Sequence, residues 1–148
     1  MKLRRLLLLA LLTFSAASLL SACSSESVDV PNASASVENG ATLFAARCAG
    51  CHTMDVVGAQ GSATKRSDRE RVDGPNFNKR KVCYEAALYA IRNGGASGAI
   101  MPGNIVVGTQ AREVAAFLAK YSGEQVSDPA SPSGPAVKCP PVPARAGG

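Results

Sequence analysis

The stretch that decides the fold is Cys48-Ala49-Gly50-Cys51-His52. It places two thiols three residues apart and an imidazole directly after the second thiol, so that one turn of chain can present all three groups to the same ligand. His52 is the only histidine in the sequence, which leaves the chain a single imidazole for binding a metal.

This spacing predicts the covalent attachment of one haem c. Cys48 and Cys51 would add across the two vinyl groups, and His52 would bind the iron from one face. Two other interpretations are a thioredoxin-type redox pair and half of a zinc site. A redox pair is expected in a βαβ pattern, which the sequence lacks, and a zinc site would need a second pair of ligands.

Met101 is the predicted second iron ligand. Met1 is lost with the signal segment described below, and Met54 follows His52 so closely that it lies on the wrong side of the porphyrin. Pro102, directly after Met101, restricts the backbone, as suits a rigid ligand loop. The alternative is a methionine packed in the core. An iron left open in that way would suit an enzyme or a gas sensor.

The N-terminus predicts export. Lys2, Arg4 and Arg5 precede an apolar run over 6–12, and small residues follow, so residues 1–22 read as a signal peptide. A transmembrane helix is the alternative, but it would need about 20 apolar residues.

The segment Leu20-Ser21-Ala22-Cys23 resembles the lipobox of bacterial lipoproteins. The resemblance implies cleavage before Cys23 and acylation of that cysteine, which would anchor the protein at the extracytoplasmic (periplasmic) face of a membrane. An ordinary signal cut near Ala22 would instead leave Cys23 as a plain thiol.

The remaining chain divides into three parts. Residues 23–35 lack aromatic residues and helical periodicity, which predicts a flexible tether. Residues 36–122 form the predicted domain, and residues 123–148 a proline-rich tail. A core of this size usually needs a disulfide, a metal or a cofactor for stability.

Three helices are predicted within the domain. The first begins after Ser36 as its N-cap, the second covers about Tyr84–Asn93, and the third runs from after Thr109 to Tyr121. No strand signal is present, so the predicted fold class is all-α with long loops.

Net charge argues against a nucleic-acid partner. The formal charge is +5, but removal of the signal would leave 13 basic against 11 acidic residues. The basic stretch 65–81 is either a solvated loop or the rim that meets an acidic redox partner.

These residues resemble the class I monohaem cytochrome c family over most of 36–122. In that family an N-terminal helix with a glycine and an aromatic residue crosses the C-terminal helix at an apolar–aromatic pair. The matching residues are Gly40, Phe44, Val114 and Phe117. The resemblance implies the cytochrome c fold, three main helices wrapped around one covalently attached haem.

The family's ligand loops also have counterparts. Gly74-Pro75-Asn76-Phe77 is similar to its Gly-Pro-x-Leu loop, with Phe in place of Leu, and implies that the Pro75 carbonyl accepts a hydrogen bond from His52. Met101-Pro102 matches its second ligand. The resemblance implies a monomeric single-electron carrier, not an enzyme, that exchanges electrons with an oxidase, a reductase or a dehydrogenase. Fixed attachment to a larger respiratory or dehydrogenase complex is a further alternative.

Two cysteines remain, Cys83 and Cys139. An exported protein meets an oxidising compartment, so we expect them to form a disulfide that holds the tail against the second helix. The alternative is two unpaired thiols.

Mass spectrometry of the non-reduced mature protein should therefore identify one peptide pair linked through Cys83 and Cys139. Two thiols that react with an alkylating reagent before reduction would contradict the pairing.

Overall fold

Three helices account for most of the regular structure. The computed structural model describes residues 28–96, 100–124 and 138–144, and its helices are α1 (Ala35–Arg47), α2 (Tyr84–Asn93) and α3 (Gly108–Tyr121). These fit the predicted all-α class. The signal segment and Cys23 lie outside the described residues. In the part of the chain that the structure describes, no helix combines the length and apolar character needed to cross a membrane.

Both ends of α2 lie where the sequence predicts them, whereas α1 and α3 begin earlier than predicted. Gly94 stops α2 with a φ of 72°, in the left-handed region that glycine adopts without strain. Helix α1 begins two residues before the predicted start, with Ser34 at the N-cap. Ser36, the predicted N-cap, is instead buried inside the first turn of α1. Packing therefore starts the helix before the serine that capping preference favoured. Helix α3 likewise begins early, at Gly108.

A small hairpin follows residues 48–52, the predicted haem-attachment motif, which we call the attachment stretch. Strands β1 (Thr53–Met54) and β2 (Ala59–Gln60) pair antiparallel around a 3₁₀ turn at Asp55–Val57. The expectation of no strands was therefore wrong. Each strand has only two residues, too few for the alternating pattern by which a strand is recognised in a sequence.

The core is centred on the crossing of α1 and α3. A Cβ atom added to Gly40 would lie 2.1 Å from the Glu113 carbonyl oxygen, so the two backbones touch without an intervening side chain. Val114 and Phe117 are fully buried beside this contact, as the predicted crossing requires. Helix α3 also packs against α2 and so lies between the other two helices.

Residues 28–34 are folded against the domain, and we call them the N-terminal strap. Val30 is 1% exposed, and the Val28 amide donates to Thr42 Oγ1 at 3.1 Å. The Tyr121 hydroxyl donates to the Pro31 carbonyl. The prediction of a flexible tether over 23–35 is thus wrong for these residues. Val28 and Val30 are too few for a periodic signal, yet they cover apolar surface that α1 and α3 would otherwise expose.

The C-terminal tail is held by a disulfide. Cys83, at the N-cap of α2, is bonded to Cys139 across a sequence separation of 56 residues. Closing a loop of that length stabilises the fold by about 4 kcal/mol in the chain-entropy model. Residues 138–143 have no regular structure, and most of the predicted tail lies outside the described residues.

The backbone contact at Gly40 predicts that Gly40→Ala destabilises the protein by roughly 2–3 kcal/mol, because the new methyl group forces α1 away from α3. The loss should appear although alanine favours an exposed helix interior by about 1 kcal/mol over glycine. Urea unfolding followed by circular dichroism measures it.

Gly50→Ala is the matched control, since its Cβ would meet no atom within 4 Å. Equal unfolding midpoints for the two variants would contradict the close crossing.

Candidate haem site

The attachment stretch continues directly from the end of α1. The Cys48 amide donates to the Phe44 carbonyl at 2.8 Å, and the Cys51 and His52 amides donate to the Cys48 carbonyl at 3.1 and 3.0 Å. These bonds wind the stretch into a tight turn. Cys48 is buried, Cys51 is exposed, and both are free thiols. The turn therefore leaves both sulfurs unbonded and available for two thioether links.

His52 is oriented by a backbone carbonyl. Its Nδ1 lies 3.0 Å from the Pro75 oxygen, as the family resemblance implied. A carbonyl can only accept a hydrogen bond, so Nδ1 carries the proton and the neutral ring presents its lone pair at Nε2. Burial lowers the pKa of His52, and the bond to Pro75 opposes this shift only in part. The ring is thus held in the neutral form that binds a metal.

Phe77 fixes the plane of the same ring. The His52 and Phe77 rings stack, with centroids 4.7 Å apart and planes 15° apart. Phe44 lies on another side, with its ring centroid 6.2 Å from that of His52. Phe77 stands where the family loop has leucine, and no feature of the sequence indicated that this side chain would lie parallel to the imidazole.

Two glycines allow loops to approach the attachment turn. A Cβ on Gly61 would lie 2.3 Å from the Ala49 carbonyl oxygen, and one on Gly74 would lie 2.3 Å from His52 Cε1. The Gly74 amide also donates to the Cys51 carbonyl at 2.6 Å. Both neighbouring loops therefore touch the turn at positions where no side chain fits.

The two other interpretations of the cysteine pair find little support. Burial, followed by repulsion from Cys51, raises the pKa of Cys48 to about 11, whereas redox-active pairs depend on a lowered thiol pKa. Among the described residues, no three His, Cys, Asp or Glu side chains cluster as a metal site would require. Two free thiols beside a neutral imidazole fit a covalently attached haem better than either alternative.

Met101 lies in the segment between α2 and α3, partly buried against the core. A Cβ atom added to Gly94 would lie 2.8 Å from the carbonyl oxygen of Met101. The Asn104 amide donates a hydrogen bond to the Ile91 carbonyl at 2.8 Å. The end of α2 thus holds both sides of this loop. Met54 is 1% exposed and packs in the core.

Comparison with protein families matches residues 37–122 to cytochrome c. This match covers more than half of the chain, and the protein belongs to the cytochrome c family, a class of haem-based electron-transfer proteins. Searches among curated proteins and among solved structures gave no significant match.

The contact between Gly74 and His52 predicts that Gly74→Ala reduces the covalent haem content per chain several-fold. The added methyl group would displace the imidazole that is predicted to bind the iron. The pyridine haemochrome absorbance per mole of purified chain measures this content. Gly50→Ala, which changes the attachment stretch itself without a clash, should retain normal content. Equal loading of both variants would contradict the role given to Gly74.

Proposed function

We propose that this protein is a single-electron carrier with one haem c, bound covalently through Cys48 and Cys51 and ligated by His52 and Met101. The observation that carries the proposal is the bond from His52 Nδ1 to the Pro75 carbonyl beside two free thiols. Haem c would supply the redox chemistry, a reversible one-electron change at its iron.

The chain's own contribution on the His52 side is a rigid ligand. The Pro75 carbonyl sets the tautomer, and Phe77 limits rotation of the imidazole. The hydrogen bond from Nδ1 also makes the Nε2 lone pair a stronger electron donor to a metal, because it increases electron density on the ring. A ligand that does not reorient when the charge of its metal changes keeps the reorganisation energy of electron transfer low.

Met101 would hold the iron through its thioether sulfur. A loop held at Gly94 and Ile91 limits its movement, which supports a ligand that stays bound in both oxidation states. With His52 and Met101 both holding the iron, a small molecule would find no free site. A thioether also favours the reduced state more than a second imidazole does.

The aromatic core would keep water from the cofactor. Phe44 and Phe117 are at most 1% exposed, and their ring centroids lie 5.6 Å apart. Phe77 meets Phe44 edge to face, with 6.0 Å between centroids. Exclusion of water lowers the local dielectric constant and limits solvent rearrangement during electron transfer.

The N-terminus and the basic stretch support a location and a kind of partner. Acylation at Cys23 would tether the carrier to the extracytoplasmic face of a membrane, where a redox protein donates or accepts the electron. Within the basic stretch, Arg69, Arg71 and Lys79 are exposed and can attract an acidic partner. Lys81 differs from them, because its Nζ donates to the Ala119 carbonyl at 2.6 Å and so caps the end of α3.

Replacement of Met101 tests the ligation. Met101→Leu removes the thioether but keeps an apolar side chain of similar volume. We expect loss of the weak far-red methionine–iron absorption band and a spectrum that shifts on addition of carbon monoxide. Optical spectra of the oxidised and reduced mature protein measure both.

Met54→Leu is the matched control, because it alters the other methionine of the domain at a buried position. It should leave the far-red band in place. A wild-type protein that already binds carbon monoxide would contradict the closed iron site and favour an enzyme or a gas sensor.

A further inference from the structure

The N-terminal strap determines where the chain leaves the domain. Its first described residue, Val28, is bonded to Thr42 on α1, and Val30 is buried. Farther along, Tyr121 and Lys120 of α3 donate to the carbonyls of Pro31 and Asn32. Contacts along the whole strap fix the exit point beside the middle of α1.

Only four residues, 24–27, separate Cys23 from Val28, so the tether is five Cα–Cα steps long. Fully extended, five residues span at most about 18 Å, and as a coil their root-mean-square reach is about 12 Å. A domain of this size has a radius of gyration of about 12 Å, which corresponds to a diameter of roughly 30 Å. The tether is therefore shorter than the domain is wide.

We propose that the α1 side of the domain, formed by α1 and the strap, rests against the lipid surface. The inference depends on the lipid anchor at Cys23 proposed above. Helix α3 packs between α1 and α2, and packed helix axes lie about 8–10 Å apart. Helix α2 is thus held on the side away from the membrane, together with the loop that carries Met101.

The distribution of exposed apolar side chains agrees with this orientation. Four large apolar side chains of the described residues are more than half exposed: Tyr89, Ile100 and Val107 lie on α2 or in the segment joining it to α3, and Val72 lies in the loop before α2. None of these four side chains lies on α1 or on the strap. Their position leaves them accessible to a redox partner, whereas the exposed residues of the α1 side include the acidic Asp29 and the basic Arg47. The short tether, not charge, therefore sets the orientation.

Spin labels on the vesicle-bound lipoprotein test the orientation. All five native cysteines would be occupied by lipid, haem or the disulfide, so Asn39→Cys on α1 and Ala86→Cys on α2 each add one reactive thiol at an exposed position. Nickel chelated to a lipid headgroup relaxes nearby labels. We expect several-fold stronger relaxation at position 39 than at position 86.

A tether variant is the control. Insertion of about 20 Gly/Ser residues between Ser27 and Val28 raises the root-mean-square reach to about 27 Å, which should bring the two relaxation rates close together. Equal rates with the native tether, or a higher rate at position 86, would overturn the orientation alone. A mature N-terminal peptide without lipid, with Cys23→Ser leaving vesicle binding unchanged, would overturn the anchor and the orientation together.

Discussion

The contact of two helix backbones at Gly40 is the constraint on which the rest of the domain depends. Helix α1 ends where the attachment stretch begins, so the position of both thiols follows from the position of α1. A helix pair separated by side chains could slide by a fraction of a turn. Direct contact between Gly40 and the Glu113 carbonyl allows much less movement. The buried side chains of Val114 and Phe117 further restrict the two helices, because a closely packed core resists sliding.

A second layer of constraint surrounds the imidazole. The Pro75 carbonyl, the Phe77 ring and the Gly74 backbone reach His52 from a single loop, which is itself tied to the turn by the Gly74 amide. Tertiary contacts continue from that loop to the end of α3, where the Gly123 amide donates to the Phe77 carbonyl at 2.7 Å. The imidazole, the loop and the terminal helix thus form one connected unit, and a shift in any of them would move Nε2, the nitrogen proposed to bind the iron.

Much of this architecture could be predicted from the sequence, and the exceptions share a physical cause. Helix α2 was predictable at both ends because its apolar period and its glycine stop agree. The attachment stretch was readable because its chemistry is local. The start of α1 and the strap were not, since Ser36 and Val30 are placed by burial against distant residues and not by local preference. The stacking of Phe77 on His52 likewise depends on two segments meeting in space. The ligand role of Met101 and the lipid at Cys23 stay predictions.

The disulfide at the start of α2 means that the cysteines of one domain must reach two different oxidation states during assembly. Cys83 and Cys139 are bonded to each other, whereas the proposed haem attachment would consume Cys48 and Cys51 as thiols. Four cysteines can pair in three ways, and the shortest loop would join the two that have to stay reduced. A Cys48–Cys51 bond would exclude the cofactor while leaving the tail correctly linked. In the proposed extracytoplasmic location, maturation would therefore call for a reductant that acts on one pair of sulfurs and spares the other. The burial of Cys48 would protect it only once α1 has packed against α3.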